Sequence, residues 1–412
     1  MTTTAPPYSE IETAAPALDR RLDRASLGAV MLGHMAVDMQ TSSLAVLLPP
    51  LLAAFRLSYA SAAGIISANN LIIAVAQPLF GLAGDFRRAR WLVPAGLILA
   101  GLAMAAVLYL PAYGLVLAAV ILSGLGSAAF HPEALSIVRG VSGDRTATGS
   151  SFFFFAGNLG FAFGPLAAAL LLERWGRGGA AWMLLPVLVG IVALWSRRGP
   201  LRTAGEPAAR PAGRPGQLQR PSRRTVLAVG YLLLFIAVRL TVTGGLQTFI
   251  PLYFSQPGGL DKAAVARLLT TLSIAGTLGT LFSGPLAERL GRRRVIAVSM
   301  ALALGALAVF IRSAGLVQVA ALAVAGATLS VPWTLSVIMV QDALPEHVGL
   351  ASGLTLGTAY GAMGLGVAGL GQLADWVGLG PTLSLITLLP AAVLLMGLFV
   401  PERRPGPRPA SA

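Results

Sequence analysis

Two short stretches carry side chains able to move protons inside an otherwise apolar chain. His34 and Asp38 stand four residues apart, which puts both on one face of a helix. Phe130-His131-Pro132-Glu133 lies in a second apolar run, where a histidine and a glutamate flank a helix-breaking proline. A charged group at the centre of a hydrocarbon layer costs roughly 2.5–3.5 kcal/mol on insertion scales, so such groups face protein or a water-filled cavity. Asp38 and Glu133 are the expected proton-carrying carboxyls. Burial disfavours the charged form of a carboxyl, and a carrier has to change its charge in every cycle. His34 and His131 would tune them, relay protons or hydrogen-bond a substrate. A purely structural hydrogen-bond cluster joining the two helices is the competing reading. At about 1.5 Å of rise per residue, the four ionisable groups fall at similar depth.

Arg239 is the other charge deep in an apolar run. Buried, it needs a partner. Either it is the counter-ion of Asp38 or Glu133, or it holds an anionic substrate, with carboxylate and substrate competing for one guanidinium. Asn158 and Gln247 are uncharged candidates for lining the same cavity, and helix–helix glue is the equally weighted alternative for them.

The elements that position these residues follow from composition. The chain has 412 residues, of which 56% are hydrophobic and 11% charged, against about 25% charged in a soluble domain. Mean hydropathy is +0.77. The expected fold is an all-α membrane protein with about twelve spans of about 20 residues each. Residues 1–24 read as a disordered cytoplasmic tail without a signal-peptide core. Residues 25–196 and 225–400 read as two six-helix bundles. The Pro-, Gly- and Arg-rich residues 197–224 read as a linker between them, and 401–412 as a second tail. The net charge of +14 sits mostly in the tails, the linker and alternate loops. That is the positive-inside pattern of topology, not a nucleic-acid footprint, and it places both termini and the linker in the cytoplasm. With no cysteine, thiol chemistry and disulfides are excluded. No phosphate loop, metal cluster or nucleophile constellation is present, so an enzyme, a metal and a cofactor are not expected.

The loop after the second helix reads Gly81-Leu82-Ala83-Gly84-Asp85-Phe86-Arg87-Arg88-Ala89-Arg90. The loop after the eighth reads Gly284-Pro285-Leu286-Ala287-Glu288-Arg289-Leu290-Gly291-Arg292-Arg293-Arg294. Each runs small, apolar, acid, then basic cluster, and the recurrence marks two related halves. At the same offset Arg139 corresponds to Asp342. Asp85 and Glu288 are expected to pair with nearby arginines (Arg87, Arg88, Arg139, Arg289, Arg292) and with a helix N-terminus of the opposite half, latching one side shut. A basic loop that only fixes topology is the plainer alternative.

Two halves, twelve spans and this doubled loop resemble the major facilitator superfamily over about residues 27–400. The resemblance implies a central cavity and alternating access. Gly160, Gly164 and Pro165 resemble the antiporter motif of its drug–proton exporters, although Leu166-Ala167-Ala168-Ala169 replaces the usual trailing glycines. Gly33-His34 with Asp38, Gln77-Pro78-Leu79-Phe80-Gly81, Gly124-Leu125-Gly126-Ser127, Phe130-His131-Pro132-Glu133 and Gly157-Asn158-Leu159-Gly160 resemble the fosmidomycin resistance family of exporters. That family implies efflux of a small toxic compound or antibiotic, driven by the proton gradient, from a bacterial inner membrane. The implied partners are a small-molecule substrate, protons and membrane lipid, with the chain acting as a monomer. An uptake symporter for an organic anion and a non-cycling sensor are the rivals.

Overall fold

In an apolar surround every backbone N–H and C=O must be bonded within its own segment, which a helix achieves. The computed structural model describes residues 21–56, 59–87, 89–204, 222–254, 256 and 259–400, and among them there is no β-strand. Arg88 and the side chain of Arg87, both named for the latch, lie outside the described residues, as do 1–20, most of the linker and 401–412.

The long helices are α1 (Arg24–Phe55), α2 (Tyr59–Arg87), α3 (Leu92–Ala106), α4 (Tyr113–Val141), α5 (Thr146–Trp175) and α6 (Leu184–Ser196) in the first half. The second half has α7 (Arg223–Phe254), α8 (Lys262–Leu290), α9 (Arg292–Phe310), α10 (Gly315–Ala343), α11 (Val348–Val377) and α12 (Leu379–Leu398). The sixth span differs slightly from expectation. It begins as a separate turn, Gly179–Trp182, before α6. The first linker residues also form a short helix, Arg198–Thr203, with Leu201 buried.

Prolines lie inside α1, α2, α4, α5, α7, α8, α10 and α12. Neighbouring helices re-satisfy the backbone groups that such prolines free. Among the described residues, nine stretches are long and apolar enough to cross a membrane, one of them, Thr146–Ser196, taking in both α5 and α6. They cover every long helix except α1 and α8. Those two carry polar faces. His34, Asp38 and Gln40 are buried on α1, and Thr280 and Ser283 on α8.

The pseudo-symmetry is visible in packing. Gly124 of α4 presses on Asn69 of α2, and Gly326 of α10 presses on Leu272 of α8. Gly81 of α2 meets the Gly349 carbonyl of α11, and Gly284 of α8 meets the Ala147 carbonyl of α5. A side chain at any of these glycines would strike the facing helix, so the missing Cβ atoms set how closely helices approach. One large apolar cluster is built entirely from residues of the second half, Val229 to Val400.

The halves meet at the end that carries the linker. Asp85 Oδ1 and Oδ2 accept hydrogen bonds from Gly349 N (2.7 Å) and Leu350 N (2.8 Å), in the first turn of α11. Glu288 Oε1 and Oε2 accept from Thr148 N (2.8 Å) and Thr148 Oγ1 (2.7 Å), in the first turn of α5. Each carboxylate thus caps a helix N-terminus of the other half, where unpaired N–H groups and the helix dipole favour negative charge. Asp342 pairs with Arg139 across the halves and with Arg292 at 2.5 Å within its own. Gly291, with φ +87°, makes the left-handed turn that places Arg292 there. Arg289 makes no ion pair among the described residues. Ser151 Oγ and Ser283 Oγ, 3.0 Å apart, seal the α5–α8 contact behind Glu288.

At the same end Arg197 holds Asp23 at 3.3 Å. Burial pushes the Asp23 carboxyl up, but hydrogen bonds from Ser26 and the Arg197 charge outweigh it and hold the group below its ordinary 3.8. This clasp therefore contributes fully above the ordinary carboxyl range and is lost only as pH falls below it, through the group's lowered pKa. Asp23→Asn is expected to lower the melting temperature slightly at pH 7 and by less at pH 3. An equal drop at both would assign the effect to packing.

Hydrogen bonds to a charged acceptor are worth about 1.5–3 kcal/mol each. Asp85→Asn combined with Glu288→Gln is expected to raise the thiol-labelling rate of a cysteine placed at buried Ser151 about tenfold or more, against a chain that has no cysteine of its own. An unchanged rate would show that these carboxylates do not hold the end shut.

Candidate functional site

The α1 face bearing His34 and Asp38 turns toward α4 and α5. Glycines at the α1–α5 crossing allow it. Gly160 packs on the Met35 backbone and on Asp38 Cβ, and Gly164 on the Met39 backbone. Gly157 lies against the pair itself. A Cβ there would stand 2.6 Å from His34 Nε2 and 2.7 Å from Asp38 Oδ2. The glycines of the antiporter-like motif therefore have a local task here, bringing α5 down onto the polar face of α1.

Asp38 lies between two imidazoles. His34 Nε2 is 3.1 Å from Oδ2, and His131 Nε2 is 3.2 Å from Oδ1. All three residues are at most 4% exposed. His34 Nδ1 sits 2.7 Å from the Phe153 carbonyl and His131 Nδ1 2.7 Å from the Ser127 carbonyl. The His34 ring also stacks on Phe153, with centroids 3.8 Å apart. Among the described residues no arginine or lysine comes within ion-pair distance of Asp38.

The expected four-group cluster is in fact divided. Glu133 does not join Asp38. It turns toward the linker end and pairs with Arg90 at 3.0 Å, while Arg90 also donates to Ser136 Oγ (3.3 Å) and the Ala204 carbonyl (2.5 Å). The reason is helical phase. Residues 131 and 133 are two apart, so they point about 200° apart around α4. Glu133 lies against Gly84, one residue from the Asp85 latch.

Arg239 is 6% exposed and donates from Nε to the Leu329 carbonyl at 2.9 Å. Of its two expected roles, the counter-ion role finds no support. Among the described residues no carboxylate pairs with it. Asn158 Nδ2 reaches Thr280 Oγ1 of the opposite half at 3.5 Å. Gln247 is exposed, about two turns beyond Arg239 on α7. Phe154 meets Trp333 of α10 edge to face, with centroids 5.4 Å apart. The two halves thus approach each other through Asn158–Thr280 and Phe154–Trp333 close to the buried ionisable groups.

Arg90, Thr148 and Trp333 belong to this machinery without having been named as site residues from the sequence. Only Thr148 carried a usable signal, because it opens the helix that the repeat pairs with Glu288.

Residues 30–266 and 232–412 match the Major Facilitator Superfamily. The chain belongs to that superfamily. It is 30% identical over 399 residues to the fosmidomycin resistance protein of Escherichia coli (strain K12), covering 95% of this chain and 96% of that one. It is 28% identical over 382 residues to the MFS-type transporter YfnC of Bacillus subtilis (strain 168), covering 90% and 91%. Among solved structures, the fucose:proton symporter FucP of E. coli superposes with a TM-score of 0.72 at 14% identity, covering 91% of this chain and 98% of that one. The human organic anion transporter MFSD10 superposes with a TM-score of 0.67 at 16% identity, covering 91% and 99%. This chain is therefore an integral membrane transporter of small molecules and not an enzyme, with the twelve-helix, two-bundle fold of its superfamily.

Gly157→Ala is expected to reduce transport by about tenfold or more by prising His34 from Asp38, with little change in melting temperature. Gly361→Ala, which adds a methyl in open space, serves as the control and should be near neutral. Full activity in Gly157→Ala would show that the contact of His34 with Asp38 does not matter.

Proposed function

We propose that this transporter is a proton-coupled exporter of a small toxic compound, an anionic or amphiphilic antibiotic, acting as a monomer in a bacterial cytoplasmic membrane. The termini and linker lie in the cytoplasm in this reading. The observation that carries it is the buried Asp38 held between two histidines, with no fixed cation beside it among the described residues. Such a group changes charge when a proton arrives. The fosmidomycin resistance relative favours export over uptake. Arg239, whose guanidinium has no carboxylate partner among the described residues, supplies a site for an anionic group of the substrate. Asn158, Gln247 and His131 are proposed to complete that site.

In this reading the latched end faces the cytoplasm, so the cytoplasmic side is the one held shut. Proton loading at Asp38 precedes the rocking that breaks the Asp85 and Glu288 contacts. After the halves rock, protons leave to the cytoplasm and a new substrate anion reaches Arg239. Glu133, tied to Arg90 and lying against Gly84, belongs to the latched end. One proton crossing 100 mV supplies about 2.3 kcal/mol, more than tenfold of substrate gradient at about 1.4 kcal/mol per decade. The doubled latch, Asp85 on one half and Glu288 on the other, argues against a non-cycling sensor.

The test uses energised everted vesicles and a pH-sensitive dye, with fosmidomycin and a panel of other antibiotics as probes. Proton release by a probe is expected from the wild type and not from Asp38→Asn. Arg239→Lys, which keeps the charge and loses the planar fork, is expected to cut coupled transport about tenfold or more. If no probe couples while an organic anion enters whole cells with protons, the direction is wrong and the chain is an uptake symporter.

A further inference from the structure

The hydrogen-bond geometry around Asp38 fixes where protons already sit. A carbonyl oxygen only accepts, so a ring nitrogen 2.7 Å from one must carry hydrogen. His34 Nδ1 donates to Phe153 O and His131 Nδ1 to Ser127 O. In their neutral forms both rings therefore present a bare Nε2, and both bare atoms face the same carboxylate, at 3.1 and 3.2 Å. An ionised carboxylate against two lone pairs is repulsive at that distance. Each of the two contacts becomes favourable only when one proton enters it. Asp38 Oδ1 is at present a buried acceptor with no hydrogen-bond donor, although an imidazole nitrogen stands beside it.

We propose that His34, Asp38 and His131 form a single site that takes up and releases two protons per transport cycle, one in each carboxylate–imidazole contact. The inference rests on the proton-coupled reading above and adds its stoichiometry. The empty site carries a net charge of −1, with both rings neutral and the carboxyl ionised. The filled site carries +1, and each contact then holds one proton, whichever of its two atoms owns it. The neighbours leave this count to the triad. From α5 it is covered by Phe153, Phe154, Gly157 and Gly160, none of which titrates. On α4 Glu133 is turned away to Arg90. Tyr360 of α11 is within electrostatic range of Asp38, and a phenol, with an ordinary pKa near about 10, stays neutral around pH 7. Arg239 is bonded to Leu329. With no fixed counter-charge nearby among the described residues, a cycle moving two protons changes the buried charge by two.

Protons can be counted without knowing the substrate. The full-length chain, purified in detergent with a chelator present, is titrated from about pH 4 to pH 10 beside the His34→Gln/Asp38→Asn/His131→Gln variant. The wild type is expected to bind two more protons than the variant over this range. A difference of one, a single proton shared by the triad, or of three, three independent groups, would overturn the proposal. A difference of zero would sink the proton-coupled reading as well. Should the triple variant not purify as a single species, His131→Gln alone keeps a polar side chain of similar reach and is expected to remove one of the two. Removal of none or both by that substitution would count against the proposal. With fosmidomycin as probe in proteoliposomes at zero membrane potential, the substrate ratio at zero net flux should change about a hundredfold per pH unit, against about tenfold for one proton. A tenfold slope with intact transport would reject the stoichiometry and leave proton-coupled export standing.

Discussion

Helix N-termini that need negative charge decide which end of this molecule is closed. Asp85 satisfies the first turn of α11 and Glu288 the first turn of α5, each from the opposite half. Because the acid and the helix end belong to different bundles, each bond is intact only while the linker ends of the bundles touch. The Ser151–Ser283 contact and the Arg139–Asp342 pair lie on the same side and depend on the same approach. Close backbone packing at Gly81, Gly349, Gly284 and Gly353 makes that approach possible. The closed end is thus a set of short polar contacts over a glycine-lined seam. Such contacts can be exchanged for water when the halves rock, which a dry interlocked core would resist.

Deeper in the molecule the constraint is reversed, because water is scarce and every charge needs a partner within the protein. The two bundles solve it differently. The first concentrates its ionisable groups in the His34–Asp38–His131 triad. The second offers Arg239, held by a carbonyl and by no carboxylate among the described residues. The buried histidine–carboxylate cluster thus lies in one half of the pseudo-symmetric scaffold and Arg239 in the other. His34 stacks on Phe153, Phe153 contacts Phe154, and Phe154 meets Trp333 across the halves, so packed rings run from the triad toward the second bundle.

The membrane fold, the repeat and the pairing of each loop acid with the opposite half were legible in the residues, because hydropathy period and recurring motifs are local properties of a chain. The partnership of His34 with Asp38 was legible for the same reason, through helical spacing. Glu133 was not. Its place two residues from His131 suggested a common cluster, whereas helical phase sends it to Arg90 and the latch. Gly157 was legible only as one small residue of a motif on the fifth helix. A glycine in a membrane helix is ordinary, and only the approach of α5 to α1 shows that a methyl group there would occupy the space of the His34–Asp38 contact.

What the sequence determined by itself is the inventory: twelve spans in two related halves, one buried arginine, and acids and histidines placed where hydrocarbon forbids them without a purpose. Periodicity and charge placement act over a few turns of helix, so they can be read without coordinates. What only the tertiary structure decided is the assortment of partners. It set Asp38 between two histidines, gave Glu133 to Arg90, and left Arg239 without a carboxylate among the described residues. Those outcomes depend on which faces of α1, α4, α5 and α7 meet, and rotations of a few tens of degrees between packed helices are invisible in the order of residues along any one of them.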